Sequence, residues 1–475
     1  MKNKFLVPLL GCLFFLSEAV SAQQFELTSS GYFQYKGVDV MAFDDIYPEG
    51  HQGGVSLIMH GNRVATNGDI RLEPTPGQWQ PVPKQYERIP DMSGNSITTR
   101  LGFPDSSRHM TGFNPMIYPD LQFGYHVKVT AEGSSIVVTV DLDTPIPAEF
   151  IGKVGFNLEL FPGALFGKPW IMDRQTGLFP QQPNGPTLSQ TPNHNHIGDF
   201  NPDGQACAHQ LAGTGYSPII ADDLVAEPYA IGKRFTVRPD DPYNRFTIES
   251  KGSDLKLFDG RMNHNNGWFV VRSEIPAGAT KGAIKWVITP NVVDDWSYAP
   301  IVQTSQLGYH PNQPKVAVIE LDKREKNRDT PVLYRIAEDG ERQAFSAPAT
   351  ECGAGWDIQA FGYRHYFLHT AYPEIFDASY IYNALNFILG CHPGSNTSSF
   401  ASGVGARSAT VGYGLNRADW SYIPGGVVSG TALIRPDFPE LLEFPYLWQQ
   451  TEYVMGGGSS HYMFLVLAAQ QLLSE

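Results

Sequence analysis

At 475 residues, with 42% apolar and 17% charged side chains, the chain is too long for one ordinary core and too apolar to be disordered. Its formal net charge of −14 argues against nucleic acid and anionic membranes as partners, and leaves neutral polysaccharide compatible. With 47 glycines, 36 prolines and 12% aromatic residues, the composition leans toward turn-rich β structure with long loops.

The first residues read as a secretory signal peptide. Lys2 and Lys4 form a short basic end, residues 5–16 an apolar run, and Val20-Ser21-Ala22 a small-residue cleavage site. The mature chain is expected to begin at Gln23. Losing two lysines and one glutamate with the leader moves the formal charge from −14 to about −15. Leu9-Leu10-Gly11-Cys12 looks like a lipoprotein box, but its cysteine sits inside the apolar run. A secreted or periplasmic protein without a lipid anchor is the expectation. No later apolar stretch approaches the roughly 20 residues that span a bilayer.

Residues 23–298 carry a β pattern. The segments 135–144 (SIVVTVDLDT), 154–161 (VGFNLELF), 268–275 (WFVVRSEI) and 284–290 (IKWVITP) alternate β-branched and aromatic residues with polar ones. Turn clusters such as Ala131-Glu132-Gly133-Ser134 divide them. One large β-sandwich of two stacked sheets follows, with a loop-rich insertion over residues 177–217. A second β unit opens at Ser305-Gln306-Leu307-Gly308-Tyr309-His310-Pro311 and continues through residues 315–321 (KVAVIEL). The charged run at residues 323–329 is a solvated turn.

After Gly355 the pattern turns helical. Candidate helices cover residues 356–371, 373–389 (closed by Gly390), 441–455 and 460–473, the last capped by Ser459 or Ser460. The overall class is multidomain β plus α.

Residues 386–475 resemble the end of the catalytic domain in glycoside hydrolase family 9, the endoglucanase or cellulase type. The resemblance rests on Gly403-Val404-Gly405-Ala406-Arg407-Ser408 and on Trp448-Gln449-Gln450-Thr451-Glu452-Tyr453. The Ser305 to Pro311 motif is similar to the opening of the immunoglobulin-like module that precedes the barrel in many of these enzymes. The resemblance implies a partial immunoglobulin-like module over residues 299–350 and a C-terminal partial (α/α)6-barrel over residues 351–475. A complete barrel has twelve helices and such a module about seven strands. This chain holds about four helices and room for about half the strands, as if a long internal segment were lost.

Inverting hydrolysis needs an acid to protonate the leaving oxygen and a base to activate water, about 6.5–9.5 Å apart. The resemblance makes Glu452 the acid, with Trp448, Phe444, Tyr446 and Tyr453 as apolar walls. Read without it, Glu452 is a surface glutamate late in an amphipathic helix. The resemblance also makes Arg407 and Arg417 substrate-binding, although Asn416 stands where the family carries histidine. Tyr413, Trp420 and Tyr422 suit stacking on sugar C–H faces, or equally loop and core packing. The expected substrate-binding set is Arg407, Arg417, Tyr413, Trp420 and Trp448. The family's base motif, of the type Asp-Ala-Gly-Asp, has no counterpart here. Asp419, Asp437 and Glu443 are the nearest other carboxylates, and nothing in their spacing makes one a base.

No cofactor or metal is expected. His194 and His196 with Asp199 and Asp203 read as a solvated loop, and Gly456-Gly457-Gly458 lacks the lysine and strand of a phosphate loop. Cys207, Cys352 and Cys391 form neither a disulfide framework nor a zinc cluster, and one bridge among them stays open. Two functions result: an exported family 9 hydrolase of β-linked glucan with weak or absent turnover, or a non-catalytic glycan-binding or remnant protein. Apolar helix faces left without barrel neighbours would favour self-association.

Overall fold

A computed structural model of the protein describes residues 24–44, 53–73, 81–108, 119–181, 187–188, 225–262, 268–322, 333–336, 342–345, 356–409, 423–435, 438–443 and 457–474. Two nine-stranded sheets dominate it. The first contains β1 (Glu26–Leu27), β2 (Phe33–Tyr35), β3 (Val38–Ala42), β4 (Val55–Met59), β5 (Asn62–Leu72), β10 (Val154–Leu160), β15 (Ala230–Gly232), β18 (Leu255–Asp259) and β19 (Phe269–Glu274). The second contains β6 (Lys84–Asp91), β7 (Ser96–Phe103), β8 (Phe123–Glu132), β9 (Ser135–Leu142), β11 (Pro169–Met172), β12 (Gln175–Leu178), β16 (Arg234–Val237), β17 (Phe246–Ser250) and β20 (Ile284–Pro290). Their orders are β1-β2-β3-β4-β5-β10-β19-β18-β15 and β12-β11-β16-β17-β20-β9-β8-β7-β6.

The two sheets solve their burial differently. In β8 and β20 the buried residues Tyr125, Val127, Val129, Ile284, Trp286 and Ile288 alternate with wetter ones, so the second sheet turns one face to water. In the first sheet β3, β4 and β10 are buried at every position. Part of the cover on its outer face comes from the far end of the chain. A hairpin of β25 (Ala432–Arg435) and β26 (Phe438–Glu440) sets Ala432, Ile434 and Phe438 against Tyr32, Met41 and Ile58. Between the sheets, Trp286 packs edge-on to Phe156 at 5.0 Å and donates its indole N–H to Ser273 Oγ at 3.0 Å. That bond removes the desolvation cost of the one polar atom in a fully buried ring.

The remaining strands are three two-stranded ladders: β13 (Thr187–Leu188) with β14 (Val225–Ala226), β21 (Ile301–Gln303) with β22 (Val318–Glu320), and β23 (Leu333–Ile336) with β24 (Arg342–Phe345). The segment expected to open an immunoglobulin-like module thus supplies two separate ladders among the described residues.

Apart from a single turn at Pro162–Leu165, the described α-helices are α1 (Trp356–Ala371), α2 (Ser379–Ile388) and α3 (Gly457–Ser474). They pack on one another and share a core in which Ile381, Leu385, Ile388, Leu465 and Ala469 meet Phe400 and Val427. No helical barrel is formed by the described residues. The second helix starts at Ser379 rather than Pro373. Asp377 accepts the Ser379 backbone N–H at 2.7 Å, an Asx turn that opens the helix six residues late. Residues 441–443 are not helical, and the rest of the helix expected over 441–455 lies outside the described residues. On α1, Phe361, Phe367 and Leu368 are exposed, as are Met463 and Leu467 on α3. No helix among the described residues is long and apolar enough to cross a membrane.

Candidate functional site

Two of the stretches singled out in the sequence, Ser305 to Pro311 and Gly403 to Ser408, meet in space. Gln306 of the Ser305 to Pro311 motif donates its backbone N–H to Leu389 O at 2.6 Å and its side-chain amide to Thr397 O at 2.9 Å. Its carbonyl accepts from Ala406 N at 2.9 Å. Gly405, at φ +91°, is pressed so close that an added Cβ would sit 2.8 Å from Gln306 Cβ. The loop closes on itself through Gly403 N to Ser408 Oγ at 2.8 Å and Ser399 N to Arg407 O at 2.9 Å. This fixes the backbone of Arg407 while leaving the residue exposed.

Beneath the loop, His392 is fully buried and stacked on Phe400 at 4.3 Å. Its Nε2–H donates to Ser398 O at 2.9 Å, and Nδ1 accepts from Thr431 Oγ1 at 2.9 Å. Burial pushes its pKa down, so the ring is neutral and structural. Glu443 acts on it from nearby, and Glu443 Oε1 is buried without a hydrogen bond. Of the residues expected to carry the chemistry, Arg407 is placed here. Glu452, Arg417, Tyr413, Trp420 and Trp448 lie outside the described residues, as do His194, His196, Asp199 and Asp203.

A second feature arises where the C-terminal hairpin meets the sandwich. A cavity of about 210 Å³ is walled by Phe161, Leu165 and Phe438, and its polar lining comprises Asn62, Arg63, Arg238, Asn244, Ser395 and Glu440, with Asn244 Nδ2 donating to Asp241 at 2.8 Å. Its wall is clamped by a buried ion pair. Arg63 Nε and Nη2 reach Glu440 Oε2 and Oε1 at 3.1 and 2.7 Å, a bidentate fork, and the guanidinium lies 4.7 Å over the Phe161 ring. Arg238 is likewise engaged, with Asp241 at 2.7 Å and Asp240 at 3.2 Å. Beside this cavity stands an aromatic group. His60 lies 5.6 Å from Tyr243 and 5.4 Å from Trp296, which lies 5.5 Å from Tyr298, all edge-to-face. The imidazole is pinned: Nδ1–H donates to Tyr243 O at 2.6 Å, and Nε2 accepts from Val293 N at 3.3 Å.

A third cluster is enclosed at a bulge in β5, where Asn67 adopts φ +55° and the register with β10 shifts. Asn67 Nδ2 donates to Glu159 Oε2 at 2.6 Å, and Tyr125 from the opposite sheet donates its hydroxyl to Asp69 at 2.8 Å. Arg71 stands 3.6 Å from Asp69 and draws both carboxyls down, but desolvation dominates. Asp69 is pushed up to about 6 and Glu159 to about 7. Neither the cavity nor this cluster was visible in the sequence. Alternation through residues 154–161 assigns Asn157 and Glu159 to the outer face, and nothing local says that this face is covered.

Comparison of the chain with protein-family models, curated proteins and solved structures finds no match.

Proposed function

We propose that this is an exported carbohydrate-active protein of the family 9 hydrolase type, acting on β-linked glucan or a related polysaccharide with impaired but measurable turnover. The observation that supports this reading is the interlock at Gln306. Two motifs about 100 residues apart, each taken from the sequence as part of one family pattern, meet through the Ala406 N–H to Gln306 O bond and the close approach of Gly405 to Gln306. In this reading Glu452 protonates the leaving oxygen by single displacement, and Arg407 and Arg417 hold sugar hydroxyls beside Tyr413, Trp420 and Trp448. A base from the missing Asp-Ala-Gly-Asp segment is not supplied, which sets turnover low.

The alternative, a glycan-binding protein without catalysis, is favoured by the helices. α1, α2 and α3 close a core together with Phe400, Val427 and Leu441 and leave Phe361, Phe367, Met463 and Leu467 outside it. Reducing-end release from a panel of soluble β-glucans, by the purified mature chain and by Glu452→Gln, separates the two. Activity that disappears in the variant establishes a complete site. Folded protein that releases nothing in either form removes the hydrolase reading.

A further inference from the structure

We propose that the seam between the sandwich and its C-terminal hairpin binds a neutral oligosaccharide. Tyr243, Trp296 and Tyr298 form the stacking ledge, and the cavity beside Asn62 receives one sugar unit. The ligand class rests on the glycan reading above, while the position is argued from this surface alone.

The ledge is built rather than incidental. Tyr243 is 47% exposed, and Trp296 and Tyr298 are half-buried, so the rings are anchored on one side and wet on the other. Two glycines with positive φ make room for them. A Cβ on Gly37 would lie 2.5 Å from the Trp296 ring, and one on Gly61 3.0 Å from Tyr298. His60 fixes the pair of loops from below through its bonds to Tyr243 O and Val293 N. Such anchored rings lose little entropy on binding and offer apolar aromatic area to C–H groups.

The polar end adjoins the ledge directly, because Gly61 and Asn244 both line the cavity. Its 210 Å³ lies below the range of about 300–1,000 Å³ typical of drug-sized ligands, and suits one ring. Charge then narrows the class. Arg63 is matched by Glu440, Arg238 by Asp240 and Asp241, and Lys36 at the rim by Asp294. Three cations thus face four carboxylates, a balance of −1 that disfavours an acidic ligand and holds too little charge to select a basic one. What it offers is amide and guanidinium hydrogen bonding beside aromatic faces, which fits a neutral polyol ring.

Calorimetry on the full mature chain with cellohexaose, xylohexaose, laminarihexaose and an oligogalacturonate tests this. The expected result is saturable binding of at least one neutral hexaose. Trp296→Ala and Tyr243→Ala should each weaken it about five- to tenfold, Tyr243→Phe less than about twofold. Tyr243→Ala guards against misfolding at Trp296, since the Tyr243 carbonyl that takes the His60 bond is kept. Binding unchanged in both alanine variants, binding of the galacturonate alone, or no binding at all would overturn the proposal. Glu452→Gln distinguishes the two sites. Hexaose binding that survives it, with no reducing-end release in wild type, removes the hydrolase and keeps the ledge. Binding lost in Glu452→Gln but kept in the ledge variants moves the ligand to the helical unit.

Discussion

Replacing Glu159 with glutamine should remove the larger of two losses of stability between pH 5 and 8, the smaller being that of Asp69. The folded carboxyl titrates at about 7 against an ordinary 4.5, chiefly because burial disfavours the ion. Below pH 4.5 the group is protonated both folded and unfolded. Between the two values the folded chain keeps a proton that the unfolded chain gives up, so stability falls as pH rises, and above 7 the loss is complete. At about 1.36 kcal/mol per pH unit, the wild type sheds about 2–3 kcal/mol from pH 5 to 8 through this residue. Glutamine has no proton to lose. Its amide oxygen can accept from Asn67 Nδ2, and its N–H can reach Asn67 Oδ1, which is buried without a hydrogen bond. Urea unfolding at pH 5, 6, 7 and 8 should show the two proteins close together in acid and the variant ahead by about 2–3 kcal/mol at pH 8. Parallel profiles would refute the reasoning. So would a variant that is less stable at every pH.

Two further outcomes concern the seam and the helices. Arg63→Ala or Glu440→Ala should each cost about 3–5 kcal/mol, because the other charge stays buried alone, whereas Arg63→Met with Glu440→Leu should recover most of that loss in denaturant unfolding. Phe361, Phe367, Leu368, Met463 and Leu467 should drive concentration-dependent association, which Phe367→Glu with Leu467→Glu reduces; light scattering showing a monomer at all concentrations in the wild type would sink this.

Strands with one wet face could be read from the sequence. Residues 284–290 alternate apart from Val287, and β20 occupies them; α1 has the bounds, 356–371, expected for it. Other features were hidden for physical reasons. The delay of α2 depends on one side-chain bond from Asp377, which competes with helical propensity over residues 373–378. The cavity joins residues near 62, 161, 238, 395 and 440, which no local window contains. Asp69 and Glu159 look like the solvent side of amphipathic strands, and only the tertiary cover turns them into buried acids.

The clamp between Arg63 and Glu440 joins positions 377 residues apart. Ribosomes add about 5–20 residues per second, so about 20–75 s of synthesis separate the two partners. Throughout that interval the outer face of the first sheet, with Met41, Ile58 and the Arg63 charge, waits for its cover. The sandwich is thus a late-maturing unit despite lying first in the chain. Any nascent or clipped form that ends before Ala432 presents the same sticky face to chaperones, proteases and its own neighbours.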